Sequence, residues 1–196
     1  MEDKDNRKES RAWERPYTRG AAPDLAGVRS QRRLRLLSFS SLKRDFDDRC
    51  CYCTGKTIEK GGEENFDVEH FRPKSRPEFA HLEFQYSNLY YACRGCNLAK
   101  GARWPSAEDP EKRFIDPCEE AIYPKFLQIT NSGEIIAGAP PGAYLLDVFR
   151  LKTRWSVRRM LRVRLLLKEV SSALREEDLN RAQKGFDELE QAFENN

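Results

Sequence analysis

No stretch of this chain is apolar for long enough to cross a bilayer. Its first ten residues, "MEDKDNRKES", lack the apolar core of a signal peptide. Both absences lead us to expect a cytoplasmic protein, and in that compartment cysteines serve as metal ligands or free thiols more often than as disulfides. There is no internal repeat and no low-complexity tract, which excludes solenoids and compositionally driven scaffolds. Histidine is scarce, with only His70 and His81 in 196 residues. One of the two stands in "DVEHFRPKS", residues 67–75, between the chain's two cysteine pairs. That placement has to be explained.

What is present divides into segments. The chain is long enough for one domain with a real core plus extensions. Residues 1–25 are polar and read as a flexible or partner-dependent arm. Residues 26–49 carry Val28, Leu34, Leu37, Leu42 and Phe46 at roughly helical spacing and form the N-terminal helical segment. Residues 50–104 hold the cysteine pairs without a long helical period, so short strands and loops are expected. Residues 105–142 form an extension in which "FLQITNSGEII" reads as a hairpin about an Asn-Ser-Gly turn. Residues 143–196 are helical in pattern, with a break expected between Leu174 and Asn180. The fold class is α+β, with a cysteine-rich centre held between helices.

The net charge of +3 hides a segregation of charge. From Arg150 to Lys168 there are eight basic residues and no acid, whereas from Glu169 onward eight acids face three bases. Such a segment can meet a phosphate backbone with one part and a protein with the other.

"CCYC" supplies Cys50 and Cys53, and "CRGC" supplies Cys93 and Cys96. A two-residue gap lets both thiolates of a pair reach one ion, and two pairs complete a tetrahedral zinc site. Thirty-nine residues lie between Cys53 and Cys93, so the fold must bring the halves together. Four thiolates leave zinc no open position, which makes it structural and excludes zinc-based hydrolysis of small molecules. Cys51 is an alternative to Cys50, although Cys50 preserves the better spacing.

Between these pairs, Glu69 and His70 are adjacent, and in an extended segment they point to opposite sides. Glu69 can then face a hard cation while His70, as a neutral imidazole, acts as a general base on water. Asn88 precedes the second cysteine pair, and Asn97 and Lys100 follow it. Arg72, Lys74, Lys100 and Arg103 are candidate phosphate contacts.

The order C-x-x-C, "DVEHFRP", "NL", C-x-x-C-N-x-x-K resembles the HNH nuclease family over residues 50–101. That family is built on a ββα-metal (His-Me finger) core commonly braced by a four-cysteine zinc site. The resemblance implies a phosphodiester hydrolase, most naturally of DNA, with His70 as the base that activates water. It implies Glu69 and Asn97 as ligands of a catalytic Mg²⁺ or Mn²⁺, and Asn88 as a brace of the active-site loop. Glu69 stands where the family more often has Asp, and Asn97 stands where it often has His. "FIDP", the "NSGEI" hairpin and "LLDVFRLKTRW" resemble, more loosely, bacterial HNH proteins of Septu-type and retron-linked phage defence. That would imply an ATPase or other defence-system partner. The competing class is a catalytically silent zinc module that binds nucleic acid or a protein. Glu69, His70, Asn88 and Asn97 separate the two, because a scaffold has no need of them.

Overall fold

A computed structural model of the protein describes residues 15–106, 109, 111–130 and 134–194. Helix α1, Gln31–Asp45, starts where Ser30 takes an extended backbone and its hydroxyl accepts from the Arg33 N–H. This is the usual way to satisfy a free donor at a helix start. The helix buries Leu34, Ser38 and Leu42, one turn apart, and ends as Asp47 and Asp48 adopt positive φ. Its buried Asp45 accepts a 2.8 Å hydrogen bond from Tyr86, which ties the helix to the central unit.

That unit is a two-stranded antiparallel sheet of β1, Phe66–His70, and β2, Leu89–Cys93, followed at once by α2, Arg94–Lys100. The register runs from Phe66 opposite Cys93 to His70 opposite Leu89. All five residues of β2 are buried, as expected of a strand covered on both faces. Phe66 stacks on Tyr91 with ring centroids 4.4 Å apart, and Phe71 stacks on Tyr90 at 5.0 Å. One contiguous core runs from these rings to Leu145, Phe149 and Leu161.

Strands β3, Leu127–Ile129, and β4, Ile135–Ala137, pair antiparallel. The Asn131–Ser132–Gly133 turn expected between them lies outside the described residues. Three helices follow: α3, Gly142–Val148; α4, Trp155–Arg175; and α5, Leu179–Glu194. The expected break falls at residues 176–178, where Glu177 has φ 57°. A further interruption, absent from the helical pattern, separates α3 from α4, where Arg150 has φ 50° and Leu151 is fully buried. Helices α4 and α5 form a hairpin around Leu166, Val170 and Leu189. No helix among the described residues is long and apolar enough to cross a membrane.

Of the segment read as an arm, residues 1–14 lie outside the described residues, whereas Tyr17 and Leu25 pack on the core and most of the stretch between them is exposed. Tyr17 is buried on Phe46 and its N–H donates to the Pro117 carbonyl. The Arg19 guanidinium sits 4.6 Å from the Tyr90 ring centroid and donates to the carbonyls of Tyr86 and Ser87. An aromatic anchor and a cation over rings hold this polar stretch in place.

Candidate active site

The cysteines converge. The sulfurs of Cys50, Cys53, Cys93 and Cys96 all lie within 4.8 Å of one another, and all four residues are buried. Tetrahedral zinc with bonds of about 2.3 Å requires sulfur–sulfur edges of about 3.8 Å. Cys53 and Cys93 stand 3.8 Å apart, so the donor set fits that ion. Local structure explains why these four meet. A short bridge between Arg49 and Lys56 closes the first knuckle, with Thr54 at φ 58°. The second knuckle spans the junction of β2 and α2. Cys51 stands outside the cluster: its side chain packs in the core, and its backbone N–H donates to Tyr91 O, tying the first knuckle to β2.

Arg154, just before α4, donates one N–H to the Cys96 sulfur at 3.1 Å and another to Gly95 O at 3.0 Å. Arg164 of α4 binds Glu59 and the Thr54 carbonyl beside the first knuckle. Two arginines from the basic run therefore pin α4 to the cysteine site. The run reads from sequence as a phosphate-binding face, and nothing local in it singles out these two.

His70 closes β1 and is 7% exposed. Its Nε2 lies 2.9 Å from the Glu83 carbonyl. A carbonyl can only accept, so Nε2 carries the proton and Nδ1 keeps its lone pair. Burial lowers the imidazole's pKa to about 4, so the ring is neutral at pH 7. Asn88 braces the loop between His70 and β2. Its Oδ1 accepts from Arg72 N at 2.8 Å, and its Nδ2 donates to Arg72 O and Leu82 O at 3.1 and 3.3 Å.

Glu69 faces the other way, as alternation along a strand requires. Its Oε1 lies 2.6 Å from Lys100 Nζ and accepts a 3.3 Å bond from the Tyr52 hydroxyl. Burial pushes this carboxyl up, while the ammonium and the hydroxyl oppose that shift. Lys100 has no exposed surface and also donates to His70 O at 2.9 Å. Lys100, expected as a phosphate contact, is the last residue of α2 and lies buried under β1.

The two expected catalytic-metal ligands, Glu69 and Asn97, hold different partners. Asn97 donates its amide to Asp67 at 3.1 Å, one strand repeat away from Glu69. Asp67 in turn lies between Arg35 and Arg94, at 3.9 and 4.0 Å. A divalent ion at Glu69 would have to displace the Lys100 ammonium from the carboxylate.

The remaining candidates lie at the surface. Arg72 is exposed with its guanidinium 5.9 Å from the Phe79 ring centroid. Lys74 is half-buried, 3.6 Å from Glu83 Oε1. Arg103 is exposed and donates to Ala99 O. His81 is exposed in the 3₁₀ turn Pro77–Leu82. Gln31 at the start of α1 donates to Glu83 Oε1 at 2.8 Å, so this helix start, with the exposed Arg29, Arg32 and Arg33 around it, lies beside the residue whose carbonyl holds His70.

Two strands and a short helix, braced by four cysteines, form a ββα core whose first strand ends in a buried neutral histidine. Residues 50–103 match the family model described as HNH endonuclease, and this segment of the chain is an HNH endonuclease domain. A search of curated proteins and a search of solved structures each found no match.

Proposed function

We propose that the protein is an endonuclease that hydrolyses phosphodiester bonds in DNA, with His70 as general base. One observation carries this reading: the Nε2–H of His70 is committed to the Glu83 carbonyl, which leaves the Nδ1 lone pair as the acceptor. Nδ1 takes a proton from water, the hydroxide oxygen bonds to phosphorus, and the phosphorus–oxygen bond to the leaving sugar breaks. Solvent protonates the leaving oxygen. Positioned proton transfer of this kind contributes about 10²- to 10⁴-fold in rate. Asn88 holds the Arg72 end of the loop, and Glu83 supplies the carbonyl, so both keep the ring aimed.

The substrate backbone is met by Arg29, Arg32 and Arg33 at the start of α1 and by Arg72 and Lys74. The first turn of α1 holds no acid. Cations at a helix N-terminus oppose the macrodipole, so the arrangement costs stability until an anion approaches. The looser resemblance to phage-defence nucleases supports a role beside an ATPase partner, and the expected Mg²⁺ or Mn²⁺ requirement belongs to the same reading.

One observation favours the silent zinc module instead: the Glu69 carboxylate is already neutralised by Lys100. A panel of supercoiled plasmid, single-stranded DNA and RNA, incubated with purified zinc-loaded protein and Mg²⁺ or Mn²⁺, decides between them. Nicking of plasmid is expected. Binding of all three without cleavage would favour the module.

A further inference from the structure

The two most deeply buried charges of the domain lie side by side. Lys100 is 0% exposed and Glu69 is 4% exposed, and their charged atoms are 2.6 Å apart. Desolvating two ions is costly, and attraction repays this only where the geometry is good and the remaining bonding capacity is used. Here it is used. The same ammonium donates to the carbonyl of His70 at 2.9 Å, and Tyr52 donates to Glu69. The Phe114 ring lies 5.5 Å from the ammonium on a further side. An apolar pair would fill this space without the desolvation cost, but it could not grip a backbone carbonyl. That carbonyl belongs to the residue whose ring carries the proposed chemistry.

We infer that Lys100 is a positioning residue: from the last turn of α2 it clamps the end of β1 through Glu69 and the His70 carbonyl, and so sets where the His70 imidazole stands. The inference rests on the nuclease reading for its effect on rate, but not for its effect on the ring. Two hydrogen bonds fix His70 from opposite ends, Lys100 on its backbone and Glu83 on its Nε2. Releasing the first lets β1 fray at its last residue, and the second then loses its alignment. A displacement of about 1 Å at a reacting group costs about 100-fold in rate.

The chain's two histidines make the test clean. Protein labelled with ¹⁵N-histidine gives imidazole signals from His70 and His81 alone, and exposed His81 is the internal control. Spectra and single-turnover cleavage are compared for the native protein, Lys100→Met, and the charge-neutral Glu69→Gln/Lys100→Met pair, each retaining one zinc. The double variant decides if the single one, left with a buried lone carboxylate, does not fold. The expected result is a native His70 held as the Nε2–H tautomer, mixed tautomers in the variants, and unchanged His81. The rate constant should fall about 100-fold with KM within about twofold. A pure Nε2–H tautomer for His70 in the variants would overturn the inference, whatever the rate. If the native protein cuts no nucleic acid, the nuclease reading falls alone, and the spectra still decide the role of Lys100.

Discussion

Lowering the pH from 7.5 to 5 should remove about 2 kcal/mol of folding stability through His70 alone. The imidazole has a pKa of 6.5 when free and about 4 in the fold, because burial disfavours its charged form. Between these values the unfolded chain binds a proton that the folded chain refuses, so stability rises with pH across that window. The contribution is fully present above pH 6.5 and is lost as the pH falls toward 4, where the loss reaches about 3 kcal/mol at 1.36 kcal/mol per unit. By pH 5 about 2 kcal/mol of it is gone. The cysteine thiolates also titrate on acidification, so a control is needed that shares them. His70→Gln keeps a donor for the Glu83 carbonyl and cannot titrate. Urea unfolding of both zinc-loaded proteins at several pH values gives the stability difference, in which the cysteine contribution cancels. The native protein should lose ground to the variant by about 2 kcal/mol between pH 7.5 and 5. A gap that stays level over that range would refute the burial argument and the neutral-base assignment that depends on it.

Other parts of the structure give separate tests. Arg154→Met removes the donor to Cys96 and should weaken zinc affinity by about 10-fold or more in competition with a chromogenic chelator, since outer partners of ligands carry that much. Asn88→Ala strips three part-buried hydrogen bonds that hold the loop after His70. It should cost about 2–4 kcal/mol in thermal or urea unfolding, with cleavage falling further than the unfolded fraction accounts for. Arg32→Ala/Arg33→Ala should flatten the plot of log binding constant against log salt by about 2, each phosphate contact contributing about 0.9. The same variant should be slightly more stable than the native protein, because two cations leave a helix N-terminus.

Much of the centre is legible in the sequence because chemistry constrains it tightly. Two C-x-x-C pairs admit few purposes, and Cys50, Cys53, Cys93 and Cys96 do converge. The choice between Cys50 and Cys51 needed the packed structure, which sets the Cys50 sulfur among those of Cys53, Cys93 and Cys96. Lys100 is illegible for a related reason. In a polar stretch a lysine reads as solvated, and its burial follows only from α2 crossing β1, which sets it against a carboxylate 31 positions earlier. Asn97 and Asp67 meet across the same strand–helix contact. Tyr17 and Arg19 sit in a stretch too polar to suggest packing, yet one aromatic ring and one guanidinium suffice to hold it.

The central claim is that His70 serves as the base of a nuclease. Its most direct test is plasmid nicking with Mg²⁺ or Mn²⁺ by the native protein and by His70→Ala, each shown to hold one zinc and the same fold. The account requires nicking by the native protein and a loss of at least about 100-fold in the variant. Equal nicking by the two would contradict it.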